Sequence, residues 1–168
     1  MSVNSGKYLE ATYDSVRALG EKIVASDGMI VIKGHEEIRL LIKQFPWPVA
    51  TIYGEIPVPT PLGAELVQPQ QRKIVQSGQM TMLETTGGHV QRFMEKVIGG
   101  PKWGYFDATV YEGTVDNFRS FHEIRECIWI PENMDRDWEN RAQIVQVSGT
   151  MHFHYFGKRV VGAVTDGS

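Results

Sequence analysis

Between Val145 and Tyr155 the sequence alternates with a period of two. Val145, Val147, Met151, Phe153 and Tyr155 fall on one side of an extended chain, and Gln146, Ser148, Thr150, His152 and His154 fall on the other. A helix would scatter these residues around its circumference, so the segment 142–157 is a strand with one core face and one polar face. Residues 73–86, 105–113 and 121–130 carry similar mixtures of β-branched, aromatic and polar residues and predict three further strands. The expected fold is mainly β (α+β): an antiparallel sandwich or half-barrel. A long polar sheet face that is neither core nor catalytic belongs to bulk solvent or to a water-filled interior.

Prolines restrict the first half of the chain. Pro46, Pro48, Pro57, Pro59, Pro61 and Pro69 fall within one short stretch, and proline lacks the N–H that a central strand needs. FPWPVA (45–50) must therefore be extended, and residues 55–73 form an edge ribbon or projecting hairpin that turns at Leu62–Gly63. Gly78, inside the strand 73–86, predicts a bulge or bend.

Two helices accompany the strands. In GGHVQRFMEKVIGG (87–100), Val90, Phe93, Met94, Val97 and Ile98 make an apolar stripe, stopped by Gly99, Gly100 and Pro101. Residues 7–26 place Leu9, Tyr13, Val16, Gly20 and Ile23 three or four apart among charged residues, which predicts an N-terminal amphipathic helix. MIVIK (29–33) reads as a short strand, and 36–44 fits either a strand or a helical turn. With no internal repeat and no linker, residues 1–168 are expected to form one domain.

Charge and cysteine content bound the function. The chain has 17 Lys and Arg against 20 Asp and Glu, a formal charge of −3, with no basic block of the kind that grips phosphates. Cys127 is the one cysteine, so an intramolecular disulfide is impossible and synthesis in a cytoplasm fits best. Charged residues through the first thirty positions interrupt any signal peptide or membrane span.

Catalytic signatures are weak. His152 and His154 form an H-x-H of the kind that holds a metal in small β-barrel enzymes, yet no carboxylate follows at short range to complete a ligand set. Cys127 and His122 are five residues apart, which on a regular strand places them on opposite faces and disfavours a dyad. There is no G-x-S-x-G, no phosphate-cradling loop and no H-E-x-x-H. No cofactor is implied. DRDWENR (135–141) packs charges around Trp138, either as a charged turn anchored by its tryptophan or as a set of alternating charges at a subunit contact.

The order of these pieces resembles the tail tube proteins of contractile-tailed bacteriophages, relatives of the tube proteins of R-type pyocins and type VI secretion. FPWPVA (45–50), EIPVPTPLGAELVQPQQRK (55–73), IVQSGQMTML (74–83), GGHVQRFMEKVIGG (87–100), FDATVYE (106–112) and the segment 126–156 follow that family's order, over roughly residues 29–157. The resemblance implies a non-enzymatic subunit of six-membered rings that stack into a tube inside a contractile sheath. It implies a virion tail component made in the host cytoplasm, with sheath, baseplate and terminator proteins as partners and viral DNA only in transit. On that reading Gln146, Ser148, Thr150 and His152 line the lumen, with the chain's small excess of acid keeping DNA from sticking. Pro57, Pro59, Pro61, Leu62, Gly63 and Glu65 bridge successive rings, and Asp135, Asp137, Trp138 and Arg141 lie at a subunit contact.

Overall fold

The strand that alternates so cleanly in sequence sits at the centre of an antiparallel sheet. The computed structural model describes residues 5–162. Its strands are β1 (Met29–Ile32), β2 (Ile42–Gln44), β3 (Glu55–Pro59), β4 (Glu65–Pro69), β5 (Val75–Leu83), β6 (Phe106–Gly113), β7 (Phe118–Pro131), β8 (Gln146–His154) and β9 (Arg159–Val161). A nearly closed sheet runs β1-β6-β7-β8-β5-β2, with β9 joined to β7, while β3 and β4 pair only with each other. The mainly β half-barrel with helices is thus the observed architecture.

The helix α2 (His89–Gly99) closes the core, burying Val90, Phe93 and Val97, three residues of its predicted stripe. Its first turn is capped by Glu84, whose carboxylate accepts the backbone N–H of Val90 and of Gln91 at 3.1 Å each. Phe93 stacks edge-on against Phe106. Ile30, Ile32, Met80, Met82, Val110, Ile124, Met151 and Phe153 complete the interior, each at most 1% exposed.

Gly78 holds no bulge. The β5–β8 register runs unbroken from Val75↔His154 to Leu83↔Gln146. The glycine serves another purpose, since Pro46 lies where its Cβ would stand. Pro48 is buried beside it, and Gln76 holds the same segment by receiving the Val49 N–H at 3.1 Å and donating to the Val49 carbonyl at 2.6 Å. A side-chain amide thereby replaces the ladder that the prolines forbid.

The bulge lies instead in β7. Three residues of β7 oppose two on each neighbour, between Arg125↔His154 and Ile128↔His152 and between Phe106↔Cys127 and Ala108↔Ile124. Glu126 takes φ of 46°, and its N–H is satisfied by the Asp107 carboxylate at 3.0 Å. That contact is the main cause holding the Asp107 carboxyl below its ordinary pKa. The extra residue reverses the side-chain phase, so Ser120, His122 and Ile124 before it and Cys127 and Trp129 after it all point inward. His122 and Cys127 therefore share the buried face, contrary to the expectation from regular alternation.

The N-terminal helix is shorter than expected. Helix α1 spans Gly6–Ala18, and Gly20, at φ 89°, donates back to the Arg17 carbonyl and ends it. Residues 36–44, left open by the sequence, divide into a 3-10 turn (Glu36–Leu40) and β2.

Candidate functional site

The polar band predicted on β8 continues across the next strand. In register, Ser148 faces Thr81, Thr150 faces Gln79, and His152 faces Ser77. The Ser148 and Thr81 hydroxyls share a hydrogen bond at 3.0 Å, which lets Thr81 be buried without cost to its hydroxyl. Gln146 heads the row beside Leu83. Towards β7 the band meets Ile128 and Ile130, the latter 57% exposed. The surface is hydroxyl and amide in character, with a histidine at one end and an apolar margin.

His154 follows His152 on this face, and its Nδ1 lies 3.3 Å from the carbonyl oxygens of Arg125 and Glu126, across the β7 bulge. Among the described residues, no group of three His, Cys, Asp or Glu side chains comes together as a metal site would require. Cys127 is fully buried, and desolvation pushes its thiol pKa up to about 12, which suppresses the thiolate. His122 does not serve it. Its Nδ1 shares a 2.8 Å hydrogen bond with the Tyr155 hydroxyl, and Trp47 stacks edge-on against its ring. Burial, and secondarily the positive charge of Arg159, holds the His122 pKa below its ordinary value.

The hairpin predicted over 55–73 forms as an independent two-stranded ribbon, with Pro57↔Val67 and Pro59↔Glu65 in register. Its tip is Pro61–Gly63, where Leu62 (φ 65°) and Gly63 (φ 80°) both take left-handed conformations and the Leu62 side chain is fully exposed. Leu66 and Val67 are also exposed. The ribbon is rooted by the Ile52↔Arg72 bridge and by Arg72, whose guanidinium sits over the Tyr155 ring and against Gly157.

The segment 132–145 links β7 to β8 as an exposed loop. Asp135, Asp137 and Arg141 are exposed, and Trp138 is 94% exposed, so it anchors nothing within the subunit. Local bonds nonetheless shape the tip, with the Glu139 N–H donating to the Asp137 carboxylate at 3.0 Å and the Asn140 side chain to Gln143 at 2.8 Å. A second exposed tryptophan, Trp103, stands at φ 55° in the Pro101–Gly104 turn; no periodic pattern marks this surface, and its one sequence signal is the P-K-W-G turn chemistry. On α1, Tyr8, Leu9, Tyr13 and Val16 are exposed and no residue is buried.

No protein-family model matches the sequence, and no curated protein matches it. Solved structures share its fold. A chain of the extended sheath–tube complex of the PVC extracellular contractile injection system is 14% identical, over 89% of this chain and 97% of that one, with a TM-score of 0.52. A chain from the anti-feeding prophage cap, the tube-terminating cap, is 10% identical over 86% and 93%, at 0.54. One from the anti-feeding prophage baseplate is 7% identical over 87% and 99%, at 0.56.

Proposed function

We propose that this chain is a structural, non-enzymatic subunit of a contractile tail tube. Six copies close a ring, rings stack into a tube inside a sheath, and the tube joins a baseplate at one end and a terminator at the other. The observation that carries this reading is the likeness of fold, over 86–89% of this chain, to chains of a contractile sheath–tube complex, a tube-terminating cap and a baseplate. The exposed apolar residues agree with it. Leu62, Trp103, Trp138, Ile144 and the α1 stripe leave more apolar side chain in water than an isolated subunit needs, and assembly would cover them.

In this reading residues 1–168 act as one tube domain, with α1 as an arm and 55–73 as the connector to the next ring. The β8 row Gln146, Ser148, Thr150 and His152 faces the lumen, and Asp135, Asp137, Trp138 and Arg141 lie between subunits. The assembly belongs to a virion tail made in the host cytoplasm, through which DNA passes without lasting contact. A tube of the pyocin or type VI kind would use the same surfaces for other cargo.

The likeness to the cap and baseplate chains supports a second reading, a tube-end subunit that makes a single ring. Negative-stain electron microscopy of concentrated protein tests both. Long sixfold tubes are expected for the first reading and isolated rings for the second. A protein that stays monomeric at every concentration overturns both, and stoichiometric metal in that monomer would point to an enzyme built on His152 and His154.

A further inference from the structure

Beside the β7 bulge, which pairs with the end of β8 remote from the exposed acidic loop, lies a concentration of positive charge that is unexpected in a chain of net charge −3. A concavity of about 190 Å³ between the end of α2 and the start of β6 is lined by Lys33, Lys96 and Lys102 with one carboxylate, Asp107. That carboxylate is already engaged, by Lys102 at 3.4 Å and by the Glu126 N–H. On the same side of the bulge, Lys158 is neutralised by Glu123 at 2.8 Å. Lys33, Lys96 and Arg125 have no salt-bridge partner among the described residues, and exposed Trp103 stands on the turn beside the concavity.

The 132–145 loop is the complementary object. Glu132, Asp135, Asp137 and Glu139 face two arginines, Arg136 and Arg141, and no salt bridge forms within it. It makes no salt bridge to the patch of its own subunit. Its feet, Pro131 and Gln146, stand at the far end of the sheet, about 15–20 Å along β7 from the bulge at roughly 3.3 Å per residue. The loop also folds over those feet, enclosing a concavity of about 900 Å³ lined only by residues between Glu132 and Ser148.

We propose that the acidic loop of one copy docks on the Lys33–Lys96–Lys102 concavity of the next copy, placing Trp138 against Trp103 and Arg125. Donor and acceptor are different surfaces of the same chain, so the contact is head-to-tail, the kind that closes a ring or propagates a stack. Complementary charge sets the register, and the tryptophans supply the desolvated centre. This inference rests on the assembly reading above and names the receiving surface for the 135–141 contact.

Charge reversal and charge exchange test it, with sedimentation velocity reporting the concentration at which assembly is half complete. K33E/K96E alone and D135K/D137K alone should each raise that concentration by at least about tenfold, since like charges then meet. Combining the two pairs on one chain should restore assembly towards the wild-type value. Circular dichroism and thermal midpoint of each monomer verify that the variants fold, and W138A supplies a reversal-free second variant expected to weaken assembly. Wild-type rings with all variants assembling equally would overturn this pairing while leaving the tube reading intact. Failure of the wild type to assemble at low salt would overturn both.

Discussion

The pyrrolidine ring of Pro46 lies against the backbone of Gly78, occupying the space that a side chain at that position would fill. The contact fixes the extended 45–50 segment onto β5 and sets the direction in which the chain leaves for the hairpin. Gly78→Ala should therefore destabilise the subunit by about 1–3 kcal/mol through overpacking. A double-mutant cycle with Pro46→Gly, which removes the Cβ that stands closest, followed by urea denaturation, should show that the alanine at 78 costs less once that atom is gone. Additive losses would mean that the two residues act separately.

Stability should fall as the pH drops through the range just below 6.5. Burial holds the His122 pKa below that ordinary value, so in this range the unfolded chain takes up a proton that the folded chain refuses. The stabilising contribution is complete above pH 6.5 and declines as the pH moves down towards the folded-state pKa. The depressed carboxyls of Glu36, Asp107 and Glu123 act at lower pH, because each starts from an ordinary value of 4.5 or below. Thermal midpoints measured from pH 7.5 to 5 should decline for the wild type and decline less for His122→Gln, with Arg159 and Glu112, the charged groups facing the imidazole, left in place.

Cys127 should resist thiol reagents until the protein unfolds. Its side chain is inaccessible and its thiol pKa stands at about 12, so both access and thiolate are lacking at neutral pH. Labelling should follow the unfolding curve in denaturant. Cys127→Ser, which puts an unpartnered hydroxyl in the core, should cost about 1–3 kcal/mol, whereas Cys127→Ala should cost less.

Removing the hairpin tip should separate folding from assembly. Pro57 and Val67 are register partners, so replacing residues 58–66 by Asn-Gly closes the ribbon with a two-residue turn. No core residue is lost, and the monomer's stability should change by no more than about 0.5 kcal/mol. Under the proposed function, rings should still form but fail to stack, as electron microscopy would show. Normal-length tubes would remove the hairpin from the ring-to-ring contact.

Lysines on the polar band probe the lumen assignment. Gln146→Lys and Thr150→Lys spare the Ser148–Thr81 bond, so assembly should persist while DNA passage slows, as cations in the channel retain phosphates. Unchanged ejection kinetics would place this face elsewhere.

Much of this architecture was legible in the chain. The period-two pattern of 145–155 required a strand with one wet face, because only an extended backbone sorts those residues by polarity. The donor-less prolines of 57–61 excluded a central strand, and glycines bracketed α2. The clean β8 row also reached further than its own sequence showed. Ser77, Gln79 and Thr81 join it, but β5 carries the core residue Gln76 and the apolar Val75 and Leu83, which blur its own pattern.

What local periodicity determined was the state of each segment and the polarity of its faces, since both depend on backbone geometry repeated along the chain. Tertiary structure alone decided where that periodicity breaks. One extra residue at Glu126 turns His122 and Cys127 to the same side, because β6 and β8 each offer two positions against three of β7. Gly78 is needed for Pro46 rather than for a bulge, and β9 exists because β7 extends beyond the end of β8 and leaves an edge at Ser120–His122. Lys33, Lys96 and Lys102 are scattered in sequence and gather only when β1, α2 and β6 meet. Registers and close approaches are properties of pairs of segments, and no single segment carries them.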